Sequence, residues 1–408
     1  MSKKMLNSSF KIYSISFFLL FVLFTSICGS VVPFQFVEIS RFTKDDARYY
    51  HISYSDPYAF VKGGFSPIDI IDYSDPKNPR YEYSYSGDGV LKFHVEDEIL
   101  VTSNRITIVD EHGSAFEESF TEIFNISDLL NPSSIVRFND VECNHIQVDK
   151  DIVFFTNGYE SELIAYNVTA NLNFSTTTEG SSFYVNNNCI YAASDSTLRG
   201  YTYTFNNSIE GHTLELNELD RYNVLENSQF TGIIVDVYTS GDYVFLSDCQ
   251  LGLIIIDVSN PNNYFRAGFI PQDYIQNLYP FEPRSTLLVE ELLFVACRNP
   301  GQFFAFNISD ISDISLFAHY ATDDFNWFSH FIHEGEDIFL LPVEQESLIA
   351  LELTNEVRPS TTTSLHGVNV TPSDTTISLT PIRFHLVVSL ISMIVLFIIN
   401  KKLNYKRS

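Results

Sequence analysis

GIIVDVYTSGDYVFLSDCQLGLIIIDVSNPNNYFRAGFI, residues 232–270, sets four short apolar segments in a row. They cover residues 233–239, 243–247, 251–258 and 264–270, and the connecting residues are Ser240-Gly241-Asp242, Asp248 and Ser259-Asn260-Pro261-Asn262. Gly, Asn, Asp and Ser favour tight turns, and strands of about five or six residues joined by such turns produce this spacing. The stretch therefore reads as four antiparallel strands, one blade of a β-propeller. Weaker copies recur from end to end of the central region, which makes the blade a repeat.

The second segments of the copies begin at Tyr58, Ile99, Ile152, Cys189, Tyr243, Leu292 and Ile338, a mean interval of about 47 residues and close to the usual blade length. Third segments recur in step, as SPIDIIDYSD from Ser66, SELIAYNVT from Ser161, STLRGYTYTF from Ser196, GQFFAFNISD from Gly301 and ESLIALELTN from Glu346. In the second copy either RITIVD from Arg105 or TEIFNISD from Thr121 serves as third strand, with 111–119 as an insertion. The seventh copy runs out near Asn355 without an outer strand, while VPFQFVEISRF from Val32 is a spare one. The expected fold is all-β: a seven-bladed β-propeller closed by pairing residues 34–40 with 347–353, so that the open edges vanish.

The matching residues DVYTSGDYVFLSD (236–248), LGLIIIDVSNPNN (251–263) and IDIIDYSDPKNP (68–79) resemble the units of the LVIVD-repeat family. The resemblance spans roughly residues 32–355 and is strongest in the first and fifth copies. It implies a β-propeller with an extracytoplasmic location. The family's biochemical role is largely unassigned, so the resemblance adds little about function.

Residues 17–27 form an apolar run behind Lys3, Lys4 and Lys11, with small residues at Cys28 and Ser30, the pattern of a signal peptide over 1–30. The propeller follows over 31–355. A Ser/Thr-rich stalk with three Pro covers 356–381, and an apolar segment over 382–400 is long enough for one transmembrane helix. Lys401, Lys402, Lys406 and Arg407 in the 401–408 tail hold that end in the cytoplasm and leave the propeller outside a single-pass cell membrane protein. The exported part holds sixteen Lys and Arg against all 51 Asp and Glu, a balance of −35. Such a field disfavours nucleic acid as a partner.

Sequons at Asn125, Asn167, Asn173, Asn206, Asn307 and Asn369 are candidate glycosylation sites, and four of them fall near third-strand ends. Cys28 leaves with the signal peptide. Cys143, Cys189, Cys249 and Cys297 remain, either as two disulfides or as free thiols.

No phosphate loop, GxSxG elbow, HExxH helix or EF-hand loop occurs. Seven residues before each second-strand start lie His51, Lys92, His145, Ser182, Asp236, Ser285 and Phe331, with His94 and His330 shifted slightly. First strands of a propeller line its channel, so His51, His145, Asp236 and His330 are candidate ligands for a divalent metal ion, or for a polar pocket. Asp69, Asp72, Asp75, Asp310 and Asp313 suit loop calcium sites or turn capping. Trp327, beside Asp323, Asp324 and Asn326, is a candidate contact for a carbohydrate or peptide. The sequence thus favours a membrane-anchored binding or adhesion module for a protein, peptide or glycan. A metal-dependent propeller hydrolase or lyase and a structural envelope protein are the alternatives.

Overall fold

The computed structural model describes residues 34–354 except 45–48, 64–66, 88, 110–112, 158–161, 179, 181, 195, 209–210, 226–231, 274–280, 299–300, 322–330, 335–337 and 344–346. The expected signal peptide, stalk, membrane segment and tail all lie outside the described residues. No helix among the described residues is long and apolar enough to cross a membrane.

Residues 35–354 form one compact all-β unit with a propeller fold. An N-terminal strand β1 (Gln35–Thr43) precedes runs of four. The first run is β2–β5 (His51–Ser55, Tyr58–Lys62, Ile68–Asp72, Arg80–Tyr85), the second β6–β9 (Val90–Glu96, Ile99–Val109, Ala115–Asn125, Ser133–Asn139). Next come β10–β13 (Cys143–Asp149, Ile152–Asn157, Glu162–Asn167, Leu172–Thr177) and β14–β17 (Ser182–Asn186, Cys189–Ser194, Thr197–Ser208, Gly211–Asn223). Then follow β18–β21 (Ile234–Ser240, Tyr243–Asp248, Gly252–Asp257, Phe265–Pro271) and β22–β25 (Pro283–Val289, Leu292–Cys297, Gln302–Asn307, Ser315–Ala321). The chain closes with β26–β28 (Ile332–Glu334, Ile338–Val343, Ser347–Thr354). Five four-stranded sheets result, together with one of eight strands in which a parallel pairing of Ser175 with Thr213 joins β13 to β17.

All seven second strands begin at the residues where the sequence spacing puts them. In the second run the TEIFN alternative for the third strand holds and RITIV belongs to the second strand, because β7 and β8 continue past the sheet as one hairpin paired from Ile99↔Asn125 to Val109↔Ala115. Residues 115–119, read as an insertion, are thus the far half of that hairpin. The spare N-terminal segment does pair with the last strand, antiparallel from Gln35↔Thr354 to Thr43↔Ser347. It supplies the fourth strand that β26–β28 lack.

Side chains alternate between the two faces of each strand, and both faces are buried, which explains apolar runs such as LIII rather than a polar alternation. In β19 and β20, Val244, Leu246, Ile254 and Ile256 join one cluster with Leu198 of the preceding run. Phe245, Leu253 and Ile255 join another with Val295 and Phe304 of the following run. Equivalent clusters link each run to the next, and the last of them, Leu340 and Leu348 with Ile52 and Ile71, returns to the first run and closes the ring.

The turn after the third strand explains the repeat's polar signature. Asp257 Oδ1 accepts from Ser259 N at 2.9 Å and Asn260 Oδ1 from Asn262 N at 3.1 Å. Asp72 and Asp75 cap Ser74 and Lys77 in the same way, and Asp310 caps Ser312. Asp69 is different: it is buried, with Tyr49 Oη at 2.7 Å and Lys44 Nζ at 2.6 Å. Cys143, Cys189, Cys249 and Cys297 are free thiols.

Candidate functional site

The first strand of every run lies at the end of its sheet or run, so one of its backbone edges has no strand partner. These strands surround a cavity of about 1080 Å³ on the ring axis, lined among the described residues by β2, β6, β10, β14, β18, β22 and the β26 segment with their flanking residues. An open strand edge must find other hydrogen-bond partners. Side chains of the neighbouring first strand supply them. Ser53 Oγ donates to Val95 O and accepts from Val95 N, both at 2.8 Å. Gln147 uses its amide as a peptide mimic, donating to Val185 O at 3.0 Å and accepting from Val185 N at 2.7 Å. Each bond runs from one first strand to the next in chain order, which fixes their relative heights.

Those heights place the candidate residues. The first hairpins close at Ser55↔Tyr58, Glu96↔Ile99, Asp149↔Ile152, Asn186↔Cys189, Ser240↔Tyr243, Val289↔Leu292 and Glu334↔Ile338. Four residues upstream of each closing position lie His51, Lys92, His145, Ser182, Asp236 and Ser285. The final hairpin has a loop one residue longer, so the same count reaches His330 rather than Phe331, the residue that sequence spacing aligned there. His330 itself lies outside the described residues, as do Trp327 and Asn369. His51, Lys92, His145, Asp236 and Ser285 all line the one cavity; Ser182 does not.

Within the cavity wall the candidates are already engaged. His51 Nε2 donates to Phe93 O at 2.9 Å, and its ring meets the Phe93 ring edge-on at 5.0 Å. The His145 ring stands 4.8 Å from that of Phe183. Asp236 accepts from the backbone amides of Val237 and Thr286. Among the described residues no three His, Cys, Asp or Glu side chains gather as a metal site. His333 lines the cavity, and its ring is 4.9 Å from Phe339.

Register shifts interrupt β6, β10, β18 and β22 just at this level, between Val90 and Lys92, Cys143 and Ile146, Ile234 and Asp236, and Pro283 and Ser285. A bulge inserts an extra residue and re-aims its neighbours. In β22 the extra residue is Arg284, which lines the cavity and whose charge reaches the thiols of Cys249 and Cys297, and spacing alone gave no sign of it. Lys92 and Arg284 thus mark the leading mouth, where first strands begin, while Glu96 and Glu290 line the trailing mouth. Burial lowers the pKa of Lys92, partly offset by nearby Cys143 and Glu142.

Burial also pushes the Asp236 carboxyl up to about 7, against the opposing pull of its two amide bonds. Its folded pKa lies above the unfolded value, so its contribution to stability is complete below about pH 4 and is lost as pH rises through 7. Asp236→Asn should therefore stabilise the protein at pH 8, by about 2–4 kcal/mol, and confer no such gain at pH 4. Thermal melting of both proteins across pH 4–8 measures this; a constant difference refutes it.

The described sequons occupy two kinds of position. Asn125, Asn167 and Asn307 end third strands, and the first and last of these cap the same turn as Asp257: Asn125 Oδ1 accepts from Ser127 N and Oγ, Asn307 Oδ1 from Ser309 N and Oγ. Part of the N-x-S pattern is thereby the repeat's own turn signature. Asn173 and Asn206 are exposed on β13 and β16.

The LVIVD repeat family model matches residues 231–265. Those residues hold β18, β19, β20 and the turn into β21. No curated protein matches the sequence. Among solved structures, the computationally designed Ika8 protein is similar with a TM-score of 0.51 and 9% identity, covering 77% of this chain and 99% of that one. The N-terminal domain of Nup159 is similar with a TM-score of 0.53 and 10% identity, covering 79% of this chain and 96% of that one. At such identities the likeness concerns the fold alone.

Proposed function

We propose that this LVIVD-repeat β-propeller has seven blades, the eight-stranded sheet counting as two, and that it serves as a membrane-anchored extracytoplasmic binding module. Its partner is a protein, peptide or glycan at the cell surface, and the ligand segment seats in the axial cavity. One observation carries the reading. The cavity of about 1080 Å³ is slightly larger than the roughly 300–1,000 Å³ of common ligand sites, room enough for a ligand segment, and hydrogen bonds between neighbouring first strands hold its wall in place. A rigid wall binds without the entropy loss of ordering it. The apolar segment at 382–400 and the basic residues behind it support the anchor and its orientation.

Plugging the cavity tests the proposal. Ser285 lines the cavity without belonging to an apolar cluster, so Ser285→Trp adds bulk there with little damage to the packing between blades. Cells displaying the full-length chain should be labelled by a non-permeant reagent on the propeller and should crosslink to a surface partner. Ser285→Trp should abolish that crosslink while leaving display and thermal melting intact. A crosslink that survives the plug overturns the cavity as binding site, and a propeller shielded from the reagent on intact cells overturns the orientation.

A further inference from the structure

Deepening the binding reading, and resting on it, we infer that the partner is a protein segment in extended form, which adds a strand to the axis-facing edge of the β7–β8 hairpin at Thr107 and Val109. The register defines that edge. β6 accompanies β7 only to the pair Val90↔Asn104, and β9 accompanies β8 only to Phe120↔Asn139. The pairs from Arg105↔Ser119 to Val109↔Ala115 stand clear of both neighbours, and at about 3.3 Å per residue they carry the hairpin roughly 16 Å beyond the leading end of its sheet. Its base is fixed on both strands. Arg105 N donates to Gly89 O at 2.8 Å and Asp140 N to Ser119 O at 2.9 Å, while Glu142 accepts from the Arg105 guanidinium at 2.6 to 2.9 Å and from Ser119 Oγ at 3.2 Å.

Backbone groups of an antiparallel strand point to its two sides in alternation. Since the Arg105 amide turns toward β6, the amides and carbonyls of Thr107 and Val109 turn the same way, past the end of β6, and among the described residues no backbone group meets them. Those of Ile106 and Ile108 are taken up by β8. The two edges of the hairpin differ in protection. On the outer strand stand Glu117 and Glu118, ion-paired with Arg105 at 3.8 Å and Arg137 at 3.2 Å, and charged side chains are a usual guard of an open edge. The inner edge, Ile106-Thr107-Ile108-Val109, carries no charge and consists of strong strand formers. An unguarded edge of that kind is a template for another strand.

The surroundings of the edge select its occupant. β6, the strand that it outruns, lines the cavity from Lys92 to Glu96, so the edge borders the leading mouth. Arg105 reaches toward Glu142, ahead of β10, which puts Ile106 and Ile108 on the opposite face, with Phe116 across from Ile108 and half exposed. Apolar side chains at every second position of an added strand would pack there. A net charge of −27 favours basic residues at the positions between them, and it opposes edge-to-edge pairing of two copies of this chain. A glycan lacks the alternating amides and carbonyls that such an edge binds.

Fluorescence anisotropy on the full-length chain in detergent tests this with a labelled, end-capped nonapeptide in which valines alternate with lysine and threonine. Two twins carry N-methyl groups, one at the valines and one at the residues between them. The parent should bind saturably. Only one alternate set of its amides faces the hairpin, so one twin should bind about tenfold or more weakly than the other. Thr107→Pro removes an inward amide that β8 does not use; it should weaken the parent peptide by about tenfold or more and leave thermal melting unchanged. Thr107→Val keeps that amide and should keep the affinity. Equal binding of the two twins, full affinity in Thr107→Pro, or no binding of the parent at millimolar concentration overturns the assignment. Self-association of the chain that Thr107→Pro abolishes would give the edge to a second copy and overturn the partner segment. A surface crosslink that Ser285→Trp abolishes but Thr107→Pro leaves intact refutes the added strand alone and keeps the binding reading.

Discussion

Deletion of residues 32–41 from the full-length chain should leave a propeller that aggregates instead of melting cooperatively. The deletion removes most of β1, whose pairing with β28 runs the whole length of both strands. It uncovers the outer edge of β28, an unpaired row of backbone groups of the kind that templates association. It also removes Phe36, which lies 4.9 Å from Phe303 and 5.9 Å from Phe339, ring centre to ring centre, and seals the cluster shared with the preceding sheet. Phe36→Ala isolates that packing: truncating a buried Phe costs about 3–5 kcal/mol, which at this size lowers the melting temperature by roughly 5–10 °C. Size-exclusion chromatography and thermal scanning check both. A monomeric deletion variant with unchanged melting would refute closure by the N-terminal strand.

Gly252→Ala should be almost as damaging although it adds one methyl group. Gly252 has φ of +113°, a conformation that residues with a Cβ scarcely adopt. A Cβ there would also collide with the carbonyl oxygen of Ile270 and stand 2.9 Å from Gln272 N. Both obstacles are backbone of β21 and its turn, so neither can rotate away. Gly252 pairs with Asp248 on one side and Pro271 on the other, and relief would require parting the sheet. A loss of at least about 3 kcal/mol is expected, well beyond the usual helix or strand penalty for exchanging Gly and Ala. Denaturant unfolding of the variant measures it, and a midpoint equal to that of the parent would show the local backbone to be softer than this geometry implies.

Strand positions were legible in the sequence because they follow from local chemistry. Turn formers at Ser240-Gly241-Asp242 and at Asp257 to Asn260 bracket apolar runs of fixed length, and the same brackets recur in each copy. Even the pairing of distant ends could be read, since a missing strand and a spare one have a single economical solution. The hairpin of β7 and β8 was misread because a long polar β-extension, NRITIV against AFEESF, has no turn signal where the sheet ends. Its strands hold each other in solvent, and propensity cannot tell that from an insertion.

The site was less legible for a geometric reason. Spacing put His51, His145 and Asp236 on one level, and the structure sets them around one cavity. What each side chain does there depends on the neighbouring strand: Phe93 O accepts a hydrogen bond from His51 Nε2, and the Thr286 amide donates one to the Asp236 carboxylate. Arg284 was missed because a bulge shifts the inward face by one residue, and no residue type announces a bulge in advance. The final hairpin's longer loop displaced the count in the same manner, by one position at His330 and Phe331.

The pairing of β1 with β28 also has a consequence in time. β1 is the first strand of the ring to be synthesised and β28 the last, so Gln35 meets Thr354 only after every intervening strand exists. At ordinary elongation rates of about 5–20 residues per second, roughly 15–60 s separate the two strands. During that interval the first-made strand has no partner, and the ring's longest-range contact cannot contribute to nucleation. Early folding must then proceed within individual antiparallel hairpins, with cooperative stability arriving at the end of translation. A nascent chain stalled before Ser347 would keep an open edge however well its earlier sheets had formed.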